Sequence, residues 1–152
     1  MRSPDQRPCI KGILLLSCNP EYENHFGSIL NARILHPKID DAIPALNNLT
    51  PIKEKTRLIV IDALFGCWGS NRSWFILDFS PNSLIISKDP VAADYIGAEI
   101  ILEEQLKHNL KIWERVVYLD KAAEMGLGTN DPKKMELIRF DLSVSQKDNH
   151  IN

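Results

Sequence analysis

The sequence lacks the features that would place it in a membrane or an export pathway. Its strongly apolar runs are short, as in Ile13-Leu14-Leu15-Leu16, whereas a helix needs about 20 apolar residues to span a bilayer. Neither an apolar leader region nor a small-residue cleavage site follows the first four residues. We therefore expect no membrane association and a cytoplasmic location.

The chain also has little of what nucleic-acid, metal and nucleotide sites require. Its 18 Lys and Arg and 20 Asp and Glu leave a net charge of -2, without the basic excess that favours nucleic acid. Three widely spaced cysteines, Cys9, Cys18 and Cys67, fit no disulfide framework and no zinc or iron–sulfur motif, so we interpret them as buried or incidental thiols. The glycine spacing of a nucleotide-binding loop is missing, so nucleotide binding is not indicated.

What remains is typical of one globular domain. The chain has 152 residues, of which 44% are hydrophobic and 25% charged, enough to bury a single core. Hydrophobic patterning and turn residues predict strands over 10–16, 57–62, 74–79, 83–87 and, at an edge, 135–141. We therefore predict a single α/β domain spanning 1–152, with a mostly parallel sheet of about five strands, helices packed on its faces and a loose polar tail over 143–152.

Three helices are predicted between these strands. Asp41 is expected to cap a short helix that turns Ile43 and Leu46 inward, places Pro44 in its first turn and ends at residues 47–48. The other two cover residue 90 to about 107 and residues 112–125, and Gly126 is expected to take the left-handed conformation after the last of them.

The most informative segment is the strand-to-helix turn over 87–95. Asp89 is suited to accept the N–H groups at a helix start, and Pro90 fits the first helical position, which needs no donor. We favour capping over ligand binding for Asp89. Asp94 has only small or apolar neighbours three and four residues away on the same helix face. Two interpretations of Asp94 stay open, a carboxylate facing a pocket and a partly solvated helix charge.

Asp62 closes an apolar, β-branched run that is typical of a central parallel strand, so it is a site candidate at the carboxyl edge of the sheet. The loop predicted over 65–74 contains Trp68 and Trp74. These tryptophans either form the lip of a pocket or cover the core, and we favour covering because Trp is usually buried.

The order of several motifs resembles the domain-of-unknown-function 362 family. The motifs are Asn24-His25-Phe26-Gly27, His36, Ile61-Asp62-Ala63, Ser87-Lys88-Asp89-Pro90-Val91-Ala92-Ala93-Asp94 and Gly126-Leu127-Gly128. The resemblance runs from about Asn24 to Phe140, and its most specific part is the Asp-Pro-Val-Ala-x-Asp segment. It covers what looks like the C-terminal half of the family's longer domain, so two interpretations stay open, an incomplete half of a larger domain and a divergent short form.

Members of the family are prokaryotic for the most part, so the resemblance implies a prokaryotic protein. Some members are joined to ferredoxin-like modules with iron–sulfur clusters, which implies a redox or metal context for relatives. This chain lacks that module and any iron–sulfur motif. It departs from the family at Glu23, where the family tends to have Lys, and over 66–70, which lack the usual Gly-Pro pair. Both departures weaken the transfer of a cationic or anion-binding role.

Two classes of function follow from the sequence. In the first, Asn24, His25, Asp62 and Asp94 converge at the carboxyl ends of the strands and bind a metal ion or a small polar ligand. For His25, a structural hydrogen bond is the competing interpretation. In the second, the chain is a non-catalytic interaction or scaffold domain of a larger redox assembly, in which a protein partner covers an exposed sheet edge. The position of Asp62 relative to Asp94 discriminates the two.

Overall fold

The computed structural model describes residues 9–17, 29–67, 79–109 and 117–142. These contain three strands, β1 (Cys9–Ser17), β2 (Thr56–Cys67) and β3 (Ser83–Ser87). The α-helices are α1 (Ile39–Asn47), α2 (Thr50–Lys53), α3 (Pro90–Lys107) and α4 (Val117–Glu124). Short 3₁₀ helices cover Ala32–Ile34, His36–Lys38 and Pro132–Lys134.

The strands form one mixed sheet in the order β1-β2-β3. β2 pairs parallel with β1, with Leu14 opposite Ile61, and antiparallel with β3, with Val60 opposite Ile86. The prediction of a mostly parallel sheet of about five strands is therefore wrong for the described part of the chain. An apolar run indicates a strand but not its direction, because direction is set by long-range pairing.

One face of this sheet carries the main core. Ile59, Ile61 and Ala63 alternate along β2 and are all buried, and they pack with Ala93 of α3. Since successive side chains of a strand point to opposite faces, α3 covers the face that these three residues share. Ile85 of β3 and Ile100 and Ile101 of α3 pack against the same cluster.

α3 begins where the local sequence predicts. Asp89 is its N-cap and accepts a hydrogen bond from the Ala92 N–H, and Pro90 occupies the first helical position. The helix ends at Lys107, before the predicted break at His108-Asn109. Both ends of α3 are thus confirmed, because each depends on residues within one turn of the boundary.

The helices make two further contacts that build the domain. Val91 of α3 packs with Leu119 and Ala122 of α4, and Tyr118 of α4 lies against the cluster of Ile43 and Leu46 in α1. The inward positions of Ile43 and Leu46 are therefore confirmed. α4 is described from Val117 to Glu124, whereas 110–116 lie outside the described residues.

Two details of the α1 prediction are wrong. The helix starts at Ile39 with Lys38 as its N-cap, so Asp41 lies inside the first turn and does not cap it. Pro44 consequently lies inside the helix, beyond its first turn. There it removes one backbone donor. Its ring is nevertheless among the most fully buried side chains, and the helix ends at Asn47 as predicted.

The edge strand predicted over 135–141 is also wrong. These residues form neither strand nor helix, although the alternation of apolar and polar residues is that of a strand. A strand needs a neighbour as well as a pattern, and no described strand pairs with this segment. Of the strand predicted over 74–79, only Phe79 is described, and it pairs with Gly66.

Residues 65–67 belong to β2 and not to a loop, whereas Trp68, Trp74 and the tail over 143–152 lie outside the described residues. Among the described helices, none has the length and apolar character required to cross a bilayer.

Candidate functional site

Asp62 is placed in the middle of β2, five residues before the strand ends at Cys67. It lies opposite Leu84 of β3, and its Oδ1 accepts a hydrogen bond of 2.9 Å from the Leu64 N–H. Because its neighbours Ile61 and Ala63 face α3, Asp62 projects from the opposite face of the sheet. The expectation that Asp62 ends its strand at the carboxyl edge is wrong.

Asp94 is half-buried on α3, next to Ala93, which packs on the β2 core. Asp94 therefore lies on the covered side of the sheet, and the sheet separates it from Asp62. The predicted convergence fails for a topological reason. β3 is antiparallel to β2, so the carboxyl end of β3, where α3 begins, lies beside the amino end of β2.

The other two predicted site residues, Asn24 and His25, lie outside the described residues. Within the described ranges, no group of three or more His, Cys, Asp or Glu side chains is arranged to hold a metal ion. The ligand-binding role of Asn24, His25, Asp62 and Asp94 stays a prediction, but Asp62 and Asp94 do not share a crevice.

The start of α3 holds a connected polar cluster. Oδ1 of Asp89 accepts the Ala92 N–H at 2.9 Å, and Oδ2 accepts the Thr129 N–H at 2.9 Å. The Asp89 N–H donates to Ser87 Oγ at 3.0 Å. Both carboxylate oxygens therefore hold backbone donors from two segments of the chain. This arrangement confirms the capping interpretation of Asp89.

The turn after α4 leaves space for the Asp89 carboxylate. Gly126 has φ of 69°, as predicted, and the Leu127 N–H donates to the Ala122 carbonyl at 3.0 Å, a bond that closes a helix C-terminus. Gly128 follows, and a Cβ added to it would lie 1.9 Å from Asp89 Oδ1. A side chain at residue 128 and the observed position of Asp89 are thus incompatible.

This contact joins two of the motifs on which the family resemblance rests, 87–94 and 126–128. Sequence reasoning treated them separately and missed that they meet. One feature of the sequence could have indicated the contact, namely Gly128, which lies two positions after Gly126 at the end of a helix. A second glycine in such a turn indicates a close approach by another group.

Two ion pairs connect or end helices of the described fold. Lys121 of α4 donates a short hydrogen bond to Asp41 of α1, which lowers the pKa of the Asp41 carboxyl and raises the pKa of the Lys121 ammonium. At the end of α3, Lys107 donates to Glu104 at 2.7 Å and lowers the pKa of that carboxyl.

The sheet face that carries Asp62 is apolar and open. Leu64, Leu84 and Ile86 are 43%, 55% and 63% exposed. Leu84 and Ile86 lie opposite Asp62 and Val60 of β2, so they belong to the face away from α3. The fold thus defines a mixed α/β domain whose sheet is covered by a helix on one face and exposes large apolar side chains on the other.

Comparison with known proteins adds no relative to this description, since no family model, no curated protein and no solved structure matches the chain. The resemblance to the domain-of-unknown-function 362 family accordingly remains a prediction.

Proposed function

We propose that this chain is a non-catalytic interaction domain whose sheet docks against a protein partner. The observation that carries the proposal is the separation of Asp62 from Asp94 by the sheet. A metal or catalytic crevice built on these two carboxylates requires them to share one cavity, whereas an interaction domain has no such requirement.

The open apolar face supports the same function. Large apolar side chains that cluster on a surface are typical of protein contacts, and an unpaired strand edge offers a row of backbone donors and acceptors. Leu84 and Ile86 combine both features, because they lie on β3, which ends the strand order within the described residues. Following the family resemblance, we place this interaction in a larger redox assembly of the prokaryotic cytoplasm.

Elemental analysis of the purified protein tests the proposal without a substrate. We expect no stoichiometric metal in the wild-type protein, and folded Asp62→Ala and Asp94→Ala variants with the same metal content. Glu103→Ala, which removes an exposed carboxylate of α3, is the control for non-specific surface binding. Stoichiometric metal that is lost in both aspartate variants but retained in Glu103→Ala would overturn the proposal in favour of the ligand-binding alternative.

Thermal unfolding gives an independent readout. A ligand that binds only the native state raises stability by mass action. We expect the melting temperature of the wild-type protein to be the same with added divalent metal ions and after chelation. A rise with one metal, abolished by chelation and by Asp94→Ala, contradicts the interaction function.

A further inference from the structure

The segment over 135–142 exposes four large apolar side chains that the fold leaves uncovered. Leu137, Ile138, Phe140 and Leu142 are 50%, 63%, 81% and 82% exposed. The segment starts with Met135 in an extended conformation, φ -99° and ψ 136°, and it forms neither helix nor strand. Ile138, Phe140 and Leu142 are spaced by two residues, so in a strand they would share one face.

The same chain holds an acceptor for such a strand. β3 pairs with β2 along one edge, and no described strand pairs with its other edge. Leu84 and Ile86 of β3 are exposed on the sheet face away from α3. An added strand would bond to the open edge, and its apolar side chains would lie beside these two residues.

The chain passes the carboxyl end of β3 six residues before the segment begins. The Thr129 N–H bonds to Asp89 Oδ2 at 2.9 Å, and Asp89 follows β3 by two residues. The chain therefore passes the end of β3 shortly before the 135–142 segment begins. Eight extended residues reach about 26 Å, more than the roughly 17 Å of the five-residue β3, so the segment is long enough to cover the whole edge.

From these placements we infer that a second copy of this chain is the partner, and that two copies exchange their 135–142 segments as strands on each other's β3 edges. This inference rests on the proposed interaction function and names its partner. Because each copy carries both an open β3 edge and a 135–142 segment, one two-fold axis completes both exchanges and closes the assembly as a dimer. A one-way contact would instead leave an edge open and build a filament.

The test is the molar mass of the full chain by light scattering over a dilution series. We expect a dimer that dissociates on dilution, and a dissociation constant raised at least about tenfold, which equals 1.4 kcal/mol, by Phe140→Asp and by Leu84→Asp. Leu106→Asp is the matched control. Leu106 is 54% exposed, close to the 55% of Leu84, but it lies on α3, which packs on the other face of the sheet.

Amide hydrogen exchange adds a readout of the pairing itself. We expect protection over 136–142, together with protection over 83–87 beyond that given by the pairing with β2. Both should be lost on dilution and in Phe140→Asp. A monomeric wild-type protein, a dimer that both variants leave intact, or an equal loss in Leu106→Asp would overturn the inference. Protection of 136–142 that persists in the monomer would also overturn it, because the segment would then pair within its own chain. If the protein is a metal-free monomer, only the inference that the partner is a second copy fails. If it binds stoichiometric metal through Asp62 and Asp94, the proposed interaction function itself fails.

Discussion

Asp89 and Thr129 are 40 residues apart in the sequence and are joined by a hydrogen bond of 2.9 Å between Oδ2 and the backbone N–H. The other carboxylate oxygen caps α3 through Ala92. One side chain therefore fixes both the start of a helix and the turn after another helix. This relationship makes Asp89 a junction between two segments that are distant in the sequence.

Asp89→Ala removes both hydrogen bonds at once. An N-cap contributes about 1 kcal/mol and a hydrogen bond to a charged group about 1.5–3 kcal/mol. We expect the free energy of unfolding in urea to fall by about 2–4 kcal/mol. Asp89→Asn retains one oxygen acceptor and should lose less. Equal stabilities of Asp89→Ala and the wild type would show that the junction does not stabilise the fold.

Gly128→Ala tests the close approach of the turn to Asp89. The added Cβ would lie 1.9 Å from Asp89 Oδ1 and would displace the carboxylate. This variant should therefore lose the hydrogen bonds that Asp89 accepts from Ala92 and Thr129. The double variant Gly128→Ala/Asp89→Ala should therefore lose much less free energy of unfolding than the sum of the losses in the two single variants. We expect a coupling energy of about 0.5–3 kcal/mol in urea unfolding.

Gly126→Ala is the control for that double-mutant cycle. No atom lies within 4 Å of its added Cβ, but φ of 69° is unfavourable for alanine. We expect a loss of about 1–2 kcal/mol from backbone strain, additive with Asp89→Ala. Coupling as large as that of Gly128→Ala would refute the steric explanation.

The Asp41–Lys121 contact predicts a pH dependence at acid pH. Its hydrogen bond lowers the pKa of Asp41 below the ordinary 3.8 and raises that of Lys121 above 10.5. The contribution of Asp41 to the free energy of unfolding is therefore present above pH 3.8, and it is lost as the pH falls through the lower pKa of the folded state. The contribution of Lys121 to the free energy of unfolding is complete below pH 10.5 and is lost only at higher pH.

NMR titration of the Asp41 carboxyl checks this prediction. Lys121→Gln should return the pKa of Asp41 towards 3.8, because it removes the largest cause of the shift. Lys107→Gln, which removes the partner of Glu104, should leave Asp41 unchanged and raise the pKa of Glu104. An Asp41 titration that is the same in Lys121→Gln and the wild type would rule out the contact in solution.

Ile61 and Ile86 test the difference between the two sheet faces. Ile61 is 1% exposed beneath α3, and Ile86 is 63% exposed on the other face. Ile61→Ala should lower the free energy of unfolding by about 2–5 kcal/mol. Ile86→Ala should change it by no more than about 0.5 kcal/mol when measured in dilute protein. Similar losses would mean that the second face is also covered within the monomer.

Local chemistry was sufficient to predict several elements of this fold. Asp89 and Pro90 mark the start of α3, and the apolar run over 83–87 has the bounds of β3. Gly126 follows α4 in the left-handed conformation. Each of these features depends on residues within a few positions, and such residues carry their own backbone preferences.

Long-range relationships could not be predicted in the same way. The antiparallel direction of β3 depends on its pairing with β2, and the strand run ending at Asp62 does not show that β2 continues to Cys67. The candidate site depended on a parallel pairing that would have placed Asp62 and Asp94 at one edge. The alternation over 135–141 indicates a strand, but it does not supply the neighbour that a strand requires.

The hydrogen bonds of Asp89 also affect how α3 meets charged molecules. The first turn of a helix carries partial positive charge and attracts anions such as phosphate. In this chain a carboxylate already neutralises that turn, and the same carboxylate is tied to Thr129. A phosphate group approaching the start of α3 would be repelled by a negative charge that is covalently part of the protein, so this end of the helix discriminates against anionic ligands.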